Sequence, residues 1–265
     1  MTPSEPEATE ALEPAACWRC GKLADATAET CQYCLARLKR AIADRRPPVP
    51  ADAGMHPFLK VVIAYSAMMV LSLIWGWIIQ FGGQPEQDGH LAGTALFEGL
   101  DTLLVLITAV AVGRLRVPKP RPAVRVAAWL AAPFALGFVL LVNVAYRWAL
   151  TEYLRAGWLH NVLEEPEWSA VTVLLMAVQP ALIEEWFFRH LALGAVRTVT
   201  GTHAAMWVSA VMFAVAHVYN PLGLPWLLVC GVVLGYARVT SGGLALPVLM
   251  HFAHNALILW FQGFV

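Results

Sequence analysis

Charged side chains are scarce in this sequence. Asp, Glu, Lys and Arg make up 14% of its 265 residues, whereas 59% of the residues are hydrophobic and the mean hydropathy is +0.61. Soluble globular domains contain about 25% charged and about 45–50% apolar residues. The composition therefore excludes a soluble globular domain and predicts an all-α polytopic membrane protein.

A net charge is also missing, because 18 basic residues balance 18 acidic ones. This balance gives no indication of a nucleic-acid partner. We expect no signal peptide, since residues 1–16 have neither a basic start nor an apolar core. These residues are acidic and rich in proline and alanine, so 1–16 is predicted to be a disordered N-terminus. Its acidic residues are Glu5, Glu7, Glu10 and Glu13.

Seven apolar segments follow. A hydrocarbon core of about 30 Å takes roughly 17–25 helical residues to cross, and the fifth and sixth segments are short by this measure. The pattern predicts a membrane domain over residues 58–265 with about seven transmembrane helices. We place them at 58–81, 91–113, 126–148, 169–192, 203–219, 222–238 and 244–262.

Basic residues are unevenly distributed among the loops. Six precede or begin the first apolar segment within 37–60, none lies in the loop 84–90, and five follow the second segment within 114–125. Lys and Arg are enriched in cytoplasmic loops. The distribution therefore predicts an integral membrane protein with a cytoplasmic N-terminus and an outward C-terminus.

Four of the five cysteines form two C-x2-C pairs, ten residues apart. Four thiolates complete a tetrahedral zinc shell, and a cytoplasmic location keeps thiols reduced. The pattern predicts a zinc-ribbon head over 17–36 with a structural zinc, bound by Cys17, Cys20, Cys31 and Cys34. Two disulfides are the alternative, and they would require the opposite topology.

The predicted head is followed by a basic, proline-rich linker over 37–57. The head resembles short zinc ribbons appended to many bacterial membrane proteins, which implies a bacterial inner membrane. We expect the head to bind a cytoplasmic protein partner rather than to take part in chemistry.

Polar side chains interrupt three of the apolar segments. A carboxylate at membrane depth costs roughly 2.5–3.5 kcal/mol, so such groups turn inward, toward partners or a water-filled cavity. A carboxylate and two imidazoles together can activate water, as a general base with electrophilic assistance. The candidate site residues are Glu184, Glu185, Arg189, His217, His251 and Asn255.

The motifs EExxxR, FxxxH and HxxxN, in this order, resemble those of the CPBP family (CAAX protease and bacteriocin-processing, or Abi) of intramembrane proteases. The Rce1-type prenyl-protein endopeptidase is its eukaryotic relative. The resemblance covers roughly residues 126–262, the expected protease core. It implies an endopeptidase that cleaves a membrane-associated or lipidated peptide or protein. The resemblance does not decide between CAAX-type cleavage and bacterial peptide maturation.

The resemblance also implies a role for each site residue. Glu184 would be the general base that deprotonates the attacking water, and Glu185 and Arg189 would orient Glu184. His217 and His251 would bind a metal or polarise the scissile carbonyl. Asn255 would complete the oxyanion donors. Metal dependence stays open, because no HExxH signature is present. Two histidines and a glutamate could hold a catalytic zinc with an open fourth position, which would make Glu185 the base.

Two other functions compete with the protease. One is a non-enzymatic scaffold or immunity protein whose zinc ribbon binds a partner. The other is a proton-coupled transporter, which predicts inverted repeats that the sequence does not show. Three further polar residues have lesser claims: His254 is expected to pack or support the site, and Glu98 and Asp101 could add to a cavity.

Overall fold

The computed structural model describes residues 15–17, 21, 23–24, 55–81, 87–113, 115, 117, 119–154 and 169–262. The chain divides into two compact units, Met1–Gly54 and Met55–Val265.

The first unit contains a short antiparallel pair of strands, β1 (Ala15–Ala16) and β2 (Leu23–Ala24). Cys17 directly follows β1 and is buried, and the N–H of Gly21 donates to its carbonyl at 2.8 Å. The other three cysteines of the predicted ribbon, residues 1–14 and the linker up to residue 54 lie outside the described residues. The zinc-ribbon head, the disordered N-terminus and the linker therefore stay predictions.

The regular elements in the described part of the second unit are all helices, which confirms the all-α polytopic fold. Five of its helices are long and apolar enough to cross a membrane, and two apolar helices are shorter. The helices are α1 (Pro57–Phe81), α2 (Gln87–Val112), α3 (Pro122–Leu154), α4 (Ala170–Val196), α5 (Thr202–Ala216), α6 (Leu224–Ser241) and α7 (Ala245–Gln262).

The shorter apolar helices are the fifth and seventh, whereas the sequence suggested the fifth and sixth. A 3-10 turn, Pro221–Gly223, precedes α6, and the two together span 21 residues. Asn220 caps this turn, because its Oδ1 accepts a hydrogen bond from the N–H of Gly223 at 3.1 Å. The cap and the proline start the helical segment early, and this lengthens the sixth span.

Helix α4 alternates between α and π geometry. Its π segments are Leu174–Val178 and Glu185–Ala192, and α turns lie before, between and after them. Pro180 contributes to the first irregularity, since it has no N–H to donate to the carbonyl of Met176 four residues earlier. Such π turns inside helices are frequent at functional sites, and the second one begins at a glutamate.

The core of this unit lies where α4, α5 and α6 meet. Phe187 and Phe188 of α4 are buried, and Phe188 packs edge-on against Phe213 of α5 with ring centroids 5.4 Å apart. Helices α5 and α6 approach closely at Gly231, where a Cβ atom would lie 2.9 Å from the carbonyl oxygen of Ala210. Small residues at such contacts let membrane helices pack backbone to backbone.

Candidate active site

Helix α4 contains a buried ion pair between Glu185 and Arg189. Glu185 and Arg189 are both fully buried, and Arg189 Nε lies 3.1 Å from Glu185 Oε2. Glu185 Oε1 lies 3.0 Å from His251 Nδ1 of α7. Removing one partner of such a pair would leave an uncompensated buried charge, so this contact fixes both the geometry and the charge of the centre.

The guanidinium of Arg189 makes two further contacts, and its backbone makes one. Its Nη2 donates to the carbonyl of Gly231 at 3.4 Å, and its Cζ lies 4.4 Å from the centroid of the Phe213 ring, a cation–π contact. The backbone carbonyl of Arg189 accepts a hydrogen bond from Arg238 Nε at 3.1 Å. These contacts leave Arg189 one orientation, toward Glu185.

Glu184 lies between two imidazoles. Its Oε1 is 3.8 Å from His217 Nε2, and its Oε2 is 3.9 Å from His251 Nε2. The Glu184 side chain is 17% exposed, whereas that of Glu185 is fully buried. Separations just beyond direct hydrogen-bond length are suited to a bridging water, which could lie about 2.8 Å from each group.

The imidazoles are oriented by their Nδ1 atoms. His217 Nδ1 lies 2.9 Å from the carbonyl oxygen of Phe213, so it carries the proton and donates. His251 Nδ1 likewise donates to the carboxylate of Glu185. A hydrogen bond from Nδ1 fixes both the tautomer and the orientation of the ring, and so determines where Nε2 points. Both Nε2 atoms therefore face Glu184.

His217 reaches this position because α5 ends just before it. The helix stops at Ala216, and His217 has φ −92° and ψ 30°, outside helical geometry. The helix predicted over 203–219 would include both Phe213 and His217. In the structure, the histidine instead bonds back to the Phe213 carbonyl across the helix end.

Asn255 lies one helical turn after His251, on the same face of α7. Its Nδ2 donates to the Met176 carbonyl at 3.0 Å, and its Oδ1 lies 3.0 Å from His254 Nδ1. His254 Nε2 in turn lies 3.4 Å from Asn143 Nδ2 of α3. A cavity of about 310 Å³ borders this chain of contacts.

Asn143 was not identified from the sequence, whereas His254 was. His254 was expected to pack or to support the site, and it does stack on Trp226 with ring centroids 5.2 Å apart. A signal was available in Pro180, because a proline inside a helix leaves an acceptor at Met176 that needs a donor from another residue.

Of the lesser candidates, Asp101 is buried in α2, but in the described part of the chain its carboxylate has no hydrogen bond or ion pair to the six predicted site residues. Helix α2 is linked to α4 nearby: Gln179 Nε2 donates to the backbone carbonyl of Glu98 at 3.2 Å and to Thr102 Oγ1 at 3.0 Å. These contacts hold α2 against α4 in the turn that precedes the acidic doublet.

A catalytic metal would use the two Nε2 atoms and Glu184, a donor set typical of zinc enzymes. The spacing does not match this use. Zinc bonds of about 2.0–2.1 Å in a tetrahedron place ligand atoms roughly 3.3 Å apart, whereas the separations here are 3.8 and 3.9 Å. Within the described ranges, no group of three or more His, Cys, Asp or Glu has the arrangement of a metal site.

Comparison with known proteins gives one result for this region. Residues 166–257 match the family described as type II CAAX prenyl endopeptidase Rce1-like, a segment that is about a third of the chain and contains all six predicted site residues. Neither the curated proteins nor the solved structures give a match. This helical membrane protein thus resembles the Rce1-like endopeptidases in the segment that brings the glutamates and histidines together.

Proposed function

We propose that this protein is an intramembrane endopeptidase that cleaves a membrane-associated protein or peptide with a glutamate-activated water. The observation that carries the proposal is the position of the Glu184 carboxylate, within 4 Å of the Nε2 atoms of His217 and His251. The family match of residues 166–257 supports the same reaction class.

Glu184 acts as the general base. It is the more accessible of the two glutamates, and its Oε2 accepts no hydrogen bond from the described residues. It takes a proton from a water whose oxygen then adds to the scissile carbonyl carbon. Glu184 passes this proton to the amide nitrogen as the C–N bond breaks, and the products are a carboxylic acid and an amine.

His251 in its protonated form stabilises the developing oxyanion. This role requires a proton on both ring nitrogens, since each nitrogen then donates a hydrogen bond. Glu185 accepts a hydrogen bond from Nδ1 at 3.0 Å, so the Nε2–H is free to donate to the oxyanion. A donor that is already held in position lowers the reaction barrier more than one that must first be oriented. His217 Nε2 accepts a hydrogen bond from the water and holds it near Glu184.

Substitution Glu184→Gln tests the proposal. The amide cannot accept the proton, so we expect cleavage to fall by about 10²–10⁴-fold while the fold is retained. The measurement is the turnover of a fluorogenic farnesylated CAAX peptide, and of a non-prenylated peptide of the same sequence, by purified protein in detergent. Glu152→Gln is the matched control, because this glutamate is exposed on α3.

Wild-type turnover by the Glu184→Gln variant would refute the assigned base. Glu185→Gln distinguishes the two glutamates: it removes the counter-charge of Arg189, so we expect it to lower stability as well as turnover. If the wild-type protein cleaves neither peptide, a non-enzymatic scaffold becomes the better explanation. The comparison of the two peptides also shows whether a prenyl group is required.

The zinc predictions are tested together by elemental analysis of the full chain and of a chain that lacks residues 1–50. One zinc per full chain that is lost with the head would support a structural ribbon. Metal that persists without the head and disappears in His217→Ala would support a metal-assisted scheme. A cytoplasmic N-terminus, a bacterial inner membrane and a cytoplasmic partner for the ribbon belong to the same proposal, and labelling of introduced N-terminal tags tests the orientation.

A further inference from the structure

A chain of four polar groups connects three helices behind the proposed centre. Starting from α3, Asn143 Nδ2 contacts His254 Nε2 at 3.4 Å, His254 Nδ1 contacts Asn255 Oδ1 at 3.0 Å, and Asn255 Nδ2 contacts the Met176 carbonyl at 3.0 Å. Asn143 and His254 are both buried, with 3% and 7% exposure. Buried polar groups of this kind are stable only when their donors and acceptors match.

The donors and acceptors do match, and each group donates to the next one along the chain from Asn143 to Met176. An amide nitrogen donates only, so Asn143 makes His254 Nε2 an acceptor. The proton of a neutral imidazole then lies on Nδ1, which donates to the Asn255 oxygen. Asn255 in turn donates from its nitrogen to a carbonyl. Every group along the chain uses the role that its neighbour requires.

The far end of this chain exists because of Pro180. In a regular helix the carbonyl of Met176 would accept from the N–H four residues later, and proline has none. Asn255 provides a replacement donor from α7. The amide of Asn255 is therefore held at both ends, by an acceptor on α4 and by a donor from His254.

We infer that His254 is a positioning residue that acts on the reaction through Asn255, an inference that rests on the proposed protease function. The Nδ1–H of His254 fixes the position of the Asn255 oxygen, and with it the direction of the amide nitrogen. An amide nitrogen carries two hydrogens, and only one is used by Met176. The second N–H has no acceptor among the described residues, and because Asn255 follows His251 by one turn of α7, we assign it to the oxyanion.

The tautomer of His254 tests this inference without any substrate. Protein labelled with ¹⁵N at histidine is studied by NMR in detergent, and His254→Phe identifies the His254 signals. We expect a neutral ring with the proton on Nδ1 and a bare Nε2. A ring with the proton on Nε2 would overturn the inference, whatever the protein's activity.

Kinetics test the link to Asn255. His254→Phe keeps an aromatic ring on Trp226 but removes both hydrogen bonds, so we expect kcat to fall about 10–100-fold with KM within about twofold, as small misplacement of a reacting group does. His254→Asn places an amide donor near the Nδ1 position and should recover part of kcat. Thr108→Val, which removes a buried hydrogen bond to Leu104 at 2.7 Å on α2, is the control and should leave kcat unchanged.

A double-variant cycle separates positioning from general damage. In an Asn255→Ala background, His254→Phe should cause no further loss of kcat, because its target is gone. Equal losses in both backgrounds, or wild-type kcat in His254→Phe, would overturn the inference. Wild-type turnover by Glu184→Gln would instead refute the proposed base, and the NMR result would still decide the tautomer.

Discussion

Helices α1–α3 and helices α4–α7 differ in what their side chains face. In the most apolar stretch of each span, the share of buried residues is 22% for α1, 17% for α2 and 11% for α3. The corresponding shares are 39% for α4 and 44% for the sixth span. Val110 and Phe134 of the outer helices are 85% and 81% exposed. Because lipid is as apolar as these side chains, exposure to it needs no compensation. Hydropathy alone therefore makes the two groups look alike, although a larger share of residues is buried in α4 and in the sixth span.

The two groups also differ in regularity. Helices α1, α2 and α3 are continuous α-helices of 25, 26 and 33 residues, whereas α4 changes between α and π geometry. The match to the Rce1-like family begins after α3 and ends within α7. The irregular helix α4 thus lies in the segment that carries the proposed chemistry, whereas the continuous helices α1–α3 lie outside it.

The strongest test of this contrast is Arg189→Met, compared with Lys60→Met on α1. Arg189 is fully buried against Glu185, and breaking a buried pair costs about 3–5 kcal/mol. Lys60 only donates to the carbonyl of Ala111 near the surface, so its loss should cost less than about 1 kcal/mol. Unfolding in mixed micelles with increasing SDS gives both values. Similar losses for the two variants would show that the ion pair is not a structural centre.

A second pair compares packing. Phe188→Ala removes a buried ring that contacts Phe213, and the resulting cavity should lower the free energy of unfolding by about 3–4 kcal/mol. Phe134→Ala removes a ring that faces lipid, and we expect a change within about 0.5 kcal/mol. The same SDS titration applies. A large loss for Phe134→Ala would place a protein contact on the face now assigned to lipid.

The smallest expected effect concerns single hydroxyls. Ser209 is buried on α5 and donates to the carbonyl of Phe188 in the second π segment at 2.6 Å. Ser209→Ala should cost about 1–2 kcal/mol, because that carbonyl lies where the π geometry disturbs the regular ladder. Ser66 donates to Val62 on the exposed face of α1, and Ser66→Ala should be neutral. If both are neutral, the π segment does not depend on α5.

The membrane fold could be predicted from the sequence because long apolar runs determine it. The grouping of Glu184, His217 and His251 could also be anticipated, since polar side chains inside apolar helices turn toward one another. The π turns could not, because hydrophobic periodicity does not distinguish 3.6 residues per turn from a locally wider helix. Asn143 was missed for a related reason: a single asparagine in an apolar helix has no spacing that identifies its partner.

The length of α5 has a consequence for the bilayer. Its 15 residues extend about 22 Å at 1.5 Å per residue, which is less than the usual hydrocarbon thickness of about 30 Å. Hydrophobic mismatch of this kind is relieved by local thinning of the membrane or by tilting. Because His217 directly follows this short helix, thinning would bring headgroups and their hydration toward the imidazole, so that bilayer thickness itself would set how readily water reaches Glu184.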